Sequence, residues 1–323
     1  MNGLARESAV LEPLAAAAQD VGALALANQL LEMRQWMADD LAELEAKLNS
    51  LDGLNREPEQ AKQAAAYLLA SGGKRVRPMI VMLSARLGQG APAQTVRDLA
   101  VTCELIHAAT LLHDDVIDEG AERRGAPSAR VVYSNSASIL GGDHLLIEAL
   151  RLVQKHGDGV LLSTLLDTIS DIITAEALQL QLRGRFQPDR DLYLRVIRGK
   201  TAVLFRWGFA AGARAAGLSP AHVETLKSAG MALGEAFQLV DDVLDLAGDP
   251  NQTGKALFTD LREGKLTWPL ILASEQVEGF DAHVQRCMDE PDGLDSQGVV
   301  VQTLQRCGAL EATRRLAEQR VDE

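Results

Sequence analysis

Apolar residues recur every three to four positions along almost the whole chain, the spacing that gives each helix one buried face. An amphipathic stretch around 30–51 carries Asp and Glu on its other side and breaks at Asp52-Gly53-Leu54-Asn55. A helix over about 58–70 ends at Ser71-Gly72-Gly73, a glycine stop. The cationic turn Lys74-Arg75-Val76-Arg77-Pro78 follows, and Pro78 opens the next helix. Residues 98–118 predict a long apolar helix, 119–128 a loop, and 134–155, 159–183, 189–216 and 220–247 further helices. The Gly- and Pro-containing 248–269 predicts a long loop with room for one short helix, after which the helical period resumes. No hairpin signal and no repeat of 20–50 residues stands out. The pattern therefore predicts an all-α fold. No linker divides it, so residues 1–323 form one domain whose segment 1–55 packs on the core or on a dimer partner.

Composition agrees: of 323 residues 47% are hydrophobic and only 4% aromatic, with Leu and Ala dominant. A formal net charge of −13 repels nucleic acid and anionic lipid, and leaves an anionic substrate only where metal ions or a local basic cluster intervene. Cys103, Cys287 and Cys307 have neither C-x-x-C nor metal-ligand spacing and read as reduced thiols. With no secretory signal and no apolar run of the roughly 18 residues that would span a membrane, the expected location is cytoplasmic.

The chemistry is concentrated in a repeated D-D-x-x-D. Asp114, Asp115 and Asp118 close the helix "DLAVTCELIHAATLLHDDVID", and Asp241, Asp242 and Asp245 close "MALGEAFQLVDDVLDLAG". At about 100° per residue, Asp114 and Asp118 share a face and Asp115 lies about 60° from Asp118. Clustered anions at the negative end of a helix dipole require cations. Two such helices facing one another would set six carboxylates around one cavity, an oxygen-rich site for magnesium shared with a diphosphate. A single copy reads equally as a solvated helix end; two copies do not.

Cations gather near these motifs. Lys74 and Arg77 flank a glycine turn, Arg123 and Arg124 follow the first motif, and Lys200-Thr201, Lys255 and Lys265 lie at breaks. Arg matches phosphate oxygens with a fork and Lys with a mobile point charge. For Arg75 the pattern favours an ordinary surface charge. His107, seven residues before Asp114, is placed to donate to a second diphosphate; a satisfied core histidine is the alternative. Gln238 lies on the face of Asp241, and Glu104 and Gln179 read as structural hydrogen-bonders.

Together "GGKRVRP" (72–78), "ELIHAATLLHDDVIDEGAERRG" (104–125), "GKTAVLF" (199–205), "GEAFQLVDDVLD" (234–245) and "GKALFTDLREGKLTWP" (254–269) resemble the trans-isoprenyl diphosphate synthases, the polyprenyl synthetase family. The resemblance implies antiparallel helices around a deep central cavity, usually in a homodimer. It implies about three Mg2+ per substrate-bound site, held by Asp114, Asp115 and Asp118 and by Asp241 and Asp245 beside Asp242. It assigns Lys74, Arg77, His107 and Arg124 to isopentenyl diphosphate, Arg123, Lys200, Thr201, Gln238, Lys255 and Lys265 to the allylic diphosphate, and a part in catalysis to Asp114, Asp115, Asp118, Arg123, Lys200, Asp241, Asp242 and Lys255. Three features depart from the pattern: Ala175 where Gly is common, His144 where an aromatic is usual, and an end at Glu323 where relatives continue for another helix.

The implied reaction is magnesium-dependent condensation of isopentenyl diphosphate with an allylic diphosphate such as farnesyl diphosphate. It needs no Ser-His-Asp or Cys-His arrangement. Small Ala109 and Thr110, one turn before Asp114, leave the wall open towards Ile106, so an all-trans product of C30–C50 is expected. The other readings are a C15 or C20 synthase, a terpene cyclase and a catalytically silent subunit of a heteromeric synthase. Transient membrane contact for product release is also expected.

Overall fold

The structure is a computed structural model; it describes residues 24–51, 59–248, 257–289 and 294–323. Among the described residues the regular structure is helical apart from one two-stranded ribbon, so the all-α expectation holds. The contacts divide the chain into two compact units, Met1–Leu162 with Ala210–Val223, and Ser163–Phe209 with Glu224–Glu323.

In the first unit the amphipathic N-terminal stretch is two helices, α1 (Leu24–Trp36) and α2 (Ala38–Asn49), broken at Met37. Leu41, Leu44 and Leu48 of α2 are buried, one residue per turn. Then come α3 (Gln60–Ala70) and α4 (Val76–Ala85); Pro78 sits in the first turn of α4, where its missing N–H costs nothing. The long helix α5 (Ala93–Ile117) starts five residues earlier than its apolar run, its polar start tied by Gln94 Nε2 donating to Asp98 Oδ1 at 2.7 Å and by an Arg97–Glu43 ion pair. Leu99, Leu105, Ile106 and Leu112 of α5 are fully enclosed.

The stretch 119–128, expected as plain loop, contains the antiparallel ribbon β1 (Glu122–Arg123) and β2 (Ala126–Pro127). Its turn places Arg124 and Gly125 at φ of 56° and 73°, the paired positive angles of a tight hairpin turn. The sequence conceals this because Arg, unlike Asn or Gly, does not advertise a positive φ. After α6 (Ala129–Val132), helix α7 (Asn135–Gln154) lies along α5. The close approach depends on Gly142: a Cβ there would meet His113 Nε2 at 2.3 Å.

The second unit draws on α8 (Gly159–Leu182), α9 (Arg190–Ile197), a π-helical turn over Arg198–Ala202, α10 (Val203–Ala215) and α11 (Pro220–Ala247). The expected helix 189–216 is thus interrupted by the wider π turn. Gly234 of α11 seats against that turn, where a Cβ would lie 2.4 Å from Ala202 Cα. The short α12 (Thr259–Arg262) is the helix anticipated within 248–269. Helices α13 (Trp268–Gln276), α14 (Phe280–Asp289), α15 (Leu294–Arg306) and α16 (Ala309–Asp322) complete the chain. Their apolar faces join Tyr193, Leu239, Trp268, Phe280, Leu304 and Ala317 in one cluster. Among the described residues no helix is long and apolar enough to cross a membrane.

Candidate active site

The first unit assembles a basic half-site on α5. His107 and Asp114 lie on one face of that helix, with Thr110 between them. Helix α5 ends at Ile117, and Asp118 is its cap, its N–H donating to the Asp114 carbonyl at 2.7 Å. Asp114 and Asp118 are half-buried. Asp115 departs from the expected common orientation: it is buried, and its Oδ1 accepts from Arg123 Nε at 3.0 Å and Nη2 at 2.5 Å. Burial pushes its pKa up, against the pull of Arg123 and with the push of Asp114 and Asp118. Asp115 thereby fixes Arg123 on the ribbon.

Arg124 reaches back from the ribbon turn to the loop after α3, where its Nη1 donates to Ser71 Oγ at 3.1 Å. Gly73 makes room for it, since a Cβ there would stand 3.0 Å from Arg124 Nη2. Lys74 is exposed and Arg77 half-buried in the first turn of α4. The His107 ring is held well below the ordinary histidine pKa, first by burial and then by Arg77, Arg124, Arg123 and Arg75. Four guanidinium groups therefore act on one imidazole, two turns before Asp114 on the same helix face.

The reading of Arg75 as a surface charge is overturned. Its backbone is left-handed at φ 46°, and its guanidinium is buried against Glu45 and Glu104. Two acidic partners offset a desolvation that an exposed lysine or arginine never meets. Sequence reasoning missed it because one partner is 30 residues away. Glu104 is the structural hydrogen-bonder expected.

The second unit carries the other aspartates. Lys200 lies in the π turn and donates to Glu176 at 2.8 Å and to Gln179 Oε1 at 3.0 Å. Thr201 Oγ1 donates to Gln238 Oε1 at 3.0 Å, and Gln238 Nε2 donates to Asp242 Oδ1 at 3.1 Å. Asp242 Oδ2 accepts from Tyr193 Oη at 2.6 Å and from the Trp268 N–H at 2.8 Å. Fully buried, Asp242 has its pKa pushed up to about 8, first by desolvation and then by Asp260. The carboxylate expected to take part in catalysis is thus an internal acceptor with three donors. Tyr193 and Trp268 are the unforeseen members of this network; nothing local in the sequence links them to the motif.

Asp245 also holds the chain in place. Its Oδ1 accepts from the N–H groups of Thr259 at 2.9 Å and Asp260 at 3.3 Å, and its carbonyl from Phe258 at 2.9 Å. Desolvation first, then Asp260, raise its pKa to about 8. Asp241 is half-buried on the preceding turn. Lys265 Nζ meets Glu263 at 2.6 Å, and Lys255 lies outside the described residues. Of the remaining expected residues, Ala109 and Ile106 are fully enclosed, while Thr110 is half-buried with its hydroxyl bonded to the His107 carbonyl at 2.8 Å.

Among the described residues no three His, Cys, Asp or Glu side chains stand close enough to form a protein-only metal cage. The donor set nevertheless fits a hard cation that keeps waters and shares phosphate oxygens. The Oδ2 atoms of Asp115 and Asp245 are buried with no hydrogen-bond partner, which leaves acceptor capacity at both motifs.

A polyprenyl synthetase family profile matches residues 58–300. The chain belongs to the polyprenyl synthetase family. All five motif stretches lie within the matched span of this synthetase-family chain. It is 35% identical over 294 residues to the octaprenyl diphosphate synthase of Escherichia coli K12, covering 91% of this chain and 90% of that protein. A polyprenyl synthase from Caulobacter crescentus CB15, solved with calcium and isoprenyl diphosphate, superposes with a TM-score of 0.83 at 33% identity, covering 90% of this chain and 88% of that one. A decaprenyl diphosphate synthase from Rhodobacter capsulatus gives a TM-score of 0.81 at 37% identity, with 90% of each chain covered. The family places this chain among the trans-prenyltransferases.

Proposed function

We propose that this chain is a magnesium-dependent prenyltransferase that joins isopentenyl diphosphate to an allylic diphosphate such as farnesyl diphosphate, giving an all-trans product of C30–C50. The observation that carries the reading is the grouping of Arg77, Arg123 and Arg124 around half-buried His107, on the helix face that ends in Asp114. Cations grouped around a neutral donor, in a chain of net charge −13, suit a diphosphate.

In this reading Lys74, Arg77, His107 and Arg124 bind isopentenyl diphosphate. Arg123, Lys200, Thr201, Gln238, Lys255 and Lys265 bind the allylic diphosphate. Asp114, Asp118, Asp241 and Asp245 would hold Mg2+, with Asp115 through its remaining oxygen; bound Mg2+ supplies positive charge to a departing pyrophosphate. Lys200 leaves Glu176 and Gln179 for phosphate oxygens, and Thr201 is aimed by Gln238, itself fixed by Asp242. As the allylic C–O bond breaks, its electron pair leaves with pyrophosphate. The isopentenyl double bond supplies the electrons of the new C–C bond, and the proton then lost goes to pyrophosphate. The reaction requires that water, which would quench the allylic cation, be kept out of the site.

Thr110 lies about 40° from Asp114 around α5 and sets the first point at which a growing chain is stopped or passed. Ala109 and Ile106 act from behind it through the packing. Incubation with Mg2+, farnesyl diphosphate and isopentenyl diphosphate, with products sized by mass spectrometry, tests the assignment. A product ending at C15 or C20 rules out the long-chain reading, and no turnover by the chain alone favours a subunit of a heteromeric synthase. We also read residues 1–323 as one catalytic domain that forms a homodimer. The exposed Ile139, Leu140 and Ile147 along one face of α7 support a partner, and light scattering gives the stoichiometry.

A further inference from the structure

The turn between α3 and α4 holds three cations within four residues, and they do different things. Lys74 is exposed, Arg77 is half-buried, and Arg75 is only 4% exposed. Arg75 precedes α4 in a left-handed conformation that an arginine rarely adopts, so the surroundings must hold it there. They do so through every part of the guanidinium. Nε donates to Glu45 Oε1 at 2.7 Å and Nη2 to Glu45 Oε2 at 3.2 Å, a two-pronged pairing with α2. Nη1 donates to Glu104 of α5, and Nη2 also to the Leu69 carbonyl near the end of α3 at 3.3 Å.

One side chain therefore ties together α2, the end of α3, the turn before α4, and α5 one turn before His107. Glu104 acts on Arg124 as well as on Arg75, so its position bears on the cations across the half-site. Helix α2 lies before residue 58, where the family match begins. An element outside the family span is thus joined to the turn that carries Lys74 and Arg77.

We propose that Arg75 is a positioning residue for isopentenyl diphosphate, holding Lys74 and Arg77 in register with His107 and Arg124, and that Glu45 makes helix α2 part of that device. The proposal rests on the assignment of Lys74, Arg77, His107 and Arg124 given above. A buried ion pair serving only the fold would affect stability without discriminating between the two substrates.

The test uses the full chain and the variants Arg75→Lys, Glu45→Gln and Arg75→Lys/Glu45→Gln. Turnover kinetics in each substrate, calorimetric titration of isopentenyl diphosphate and the melting temperature are measured on all of them. Lysine keeps the charge but loses the fork, so the KM and Kd for isopentenyl diphosphate rise about tenfold while the allylic KM changes less than about twofold. Glu45→Gln, at a side chain 32% exposed, keeps one prong and gives about a threefold rise in the same two constants. The double variant is no worse than Arg75→Lys alone, because both act on one link. A lowered melting temperature with both KM values unchanged, or equal rises for both substrates, overturns the proposal. If Arg75→Lys does not fold, Glu45→Gln decides alone, and an unchanged Kd there overturns it. Wild-type protein that binds isopentenyl diphosphate without turning it over removes the activity assignment and leaves the Kd comparison to judge Arg75; wild-type protein that does not bind it removes both.

Discussion

His107 offers a pH test. Burial and four arginines keep its ring neutral in the folded protein, whereas in the unfolded chain it titrates near 6.5. The folded pKa is depressed, so the folded state binds fewer protons below pH 6.5. Stability is fully present above that pH and is lost as pH falls towards the folded pKa. As pH falls from 7.5 to 5.5 the unfolded ring takes up its proton before the folded one does, so stability falls, by about 1 kcal/mol at most for the single pH unit below 6.5. His107→Gln removes the titration and keeps a donor. Wild-type protein should lose more stability than the variant over this range in denaturant melts, by about 1 kcal/mol at most, after each is referenced to its own value at pH 7.5. On the proposed assignment, bound isopentenyl diphosphate opposes the field of the arginines and raises the ring's pKa. Calorimetry at pH 6.5 in two buffers of different ionisation enthalpy should then show proton uptake on binding in the wild type and none in His107→Gln. Superimposable pH profiles of wild type and variant would refute a ring held neutral by the arginines, and with it the electrostatic argument for the half-site.

Other substitutions probe the remaining joints. Gly234→Ala sets a methyl 2.4 Å from Ala202 Cα, a backbone atom that cannot swing aside, and should cost about 1–3 kcal/mol in urea melts while raising the allylic KM through the π turn. A normal melt and a normal KM together would mean that α11 and the π turn are not packed so closely. Asp115→Asn keeps the shape but removes the charge facing Arg123; with Arg123 28% exposed, solvent screening limits the loss to about 1–2 kcal/mol, and an unchanged melt speaks against the pair. Tyr193→Phe deletes one of three donors to buried Asp242 and should lower stability by about 1–3 kcal/mol, with a rise in allylic KM relayed through Gln238 and Thr201. Equal effects on both substrates would break that relay.

Periodicity revealed the helices because each buries one face, and the motif stretches revealed the family because short-range spacing leaves a local imprint. What the sequence concealed is long-range. The tight ribbon turn at Arg124-Gly125 is invisible because its first positive φ falls on an arginine. The π turn at Arg198–Ala202 is invisible because it keeps almost the helical period. Arg75 looked like its neighbours because charge in a sequence carries no record of burial, and its two carboxylates come from other helices. The same limit applies within the aspartate motifs. Spacing treats their members as equivalent, yet Asp115 is spent largely on Arg123, Asp242 on Tyr193, Gln238 and Trp268, and one oxygen of Asp245 on the chain entering α12. A repeated D-D-x-x-D therefore specifies two things at once. On the proposed assignment some of its carboxylates face cations, while others fasten basic side chains and loop segments, as Asp115 fastens Arg123. On that assignment Asp115 and Asp245 do both, one oxygen fastening the protein and the other left for a hard cation that shares its ligands with phosphate.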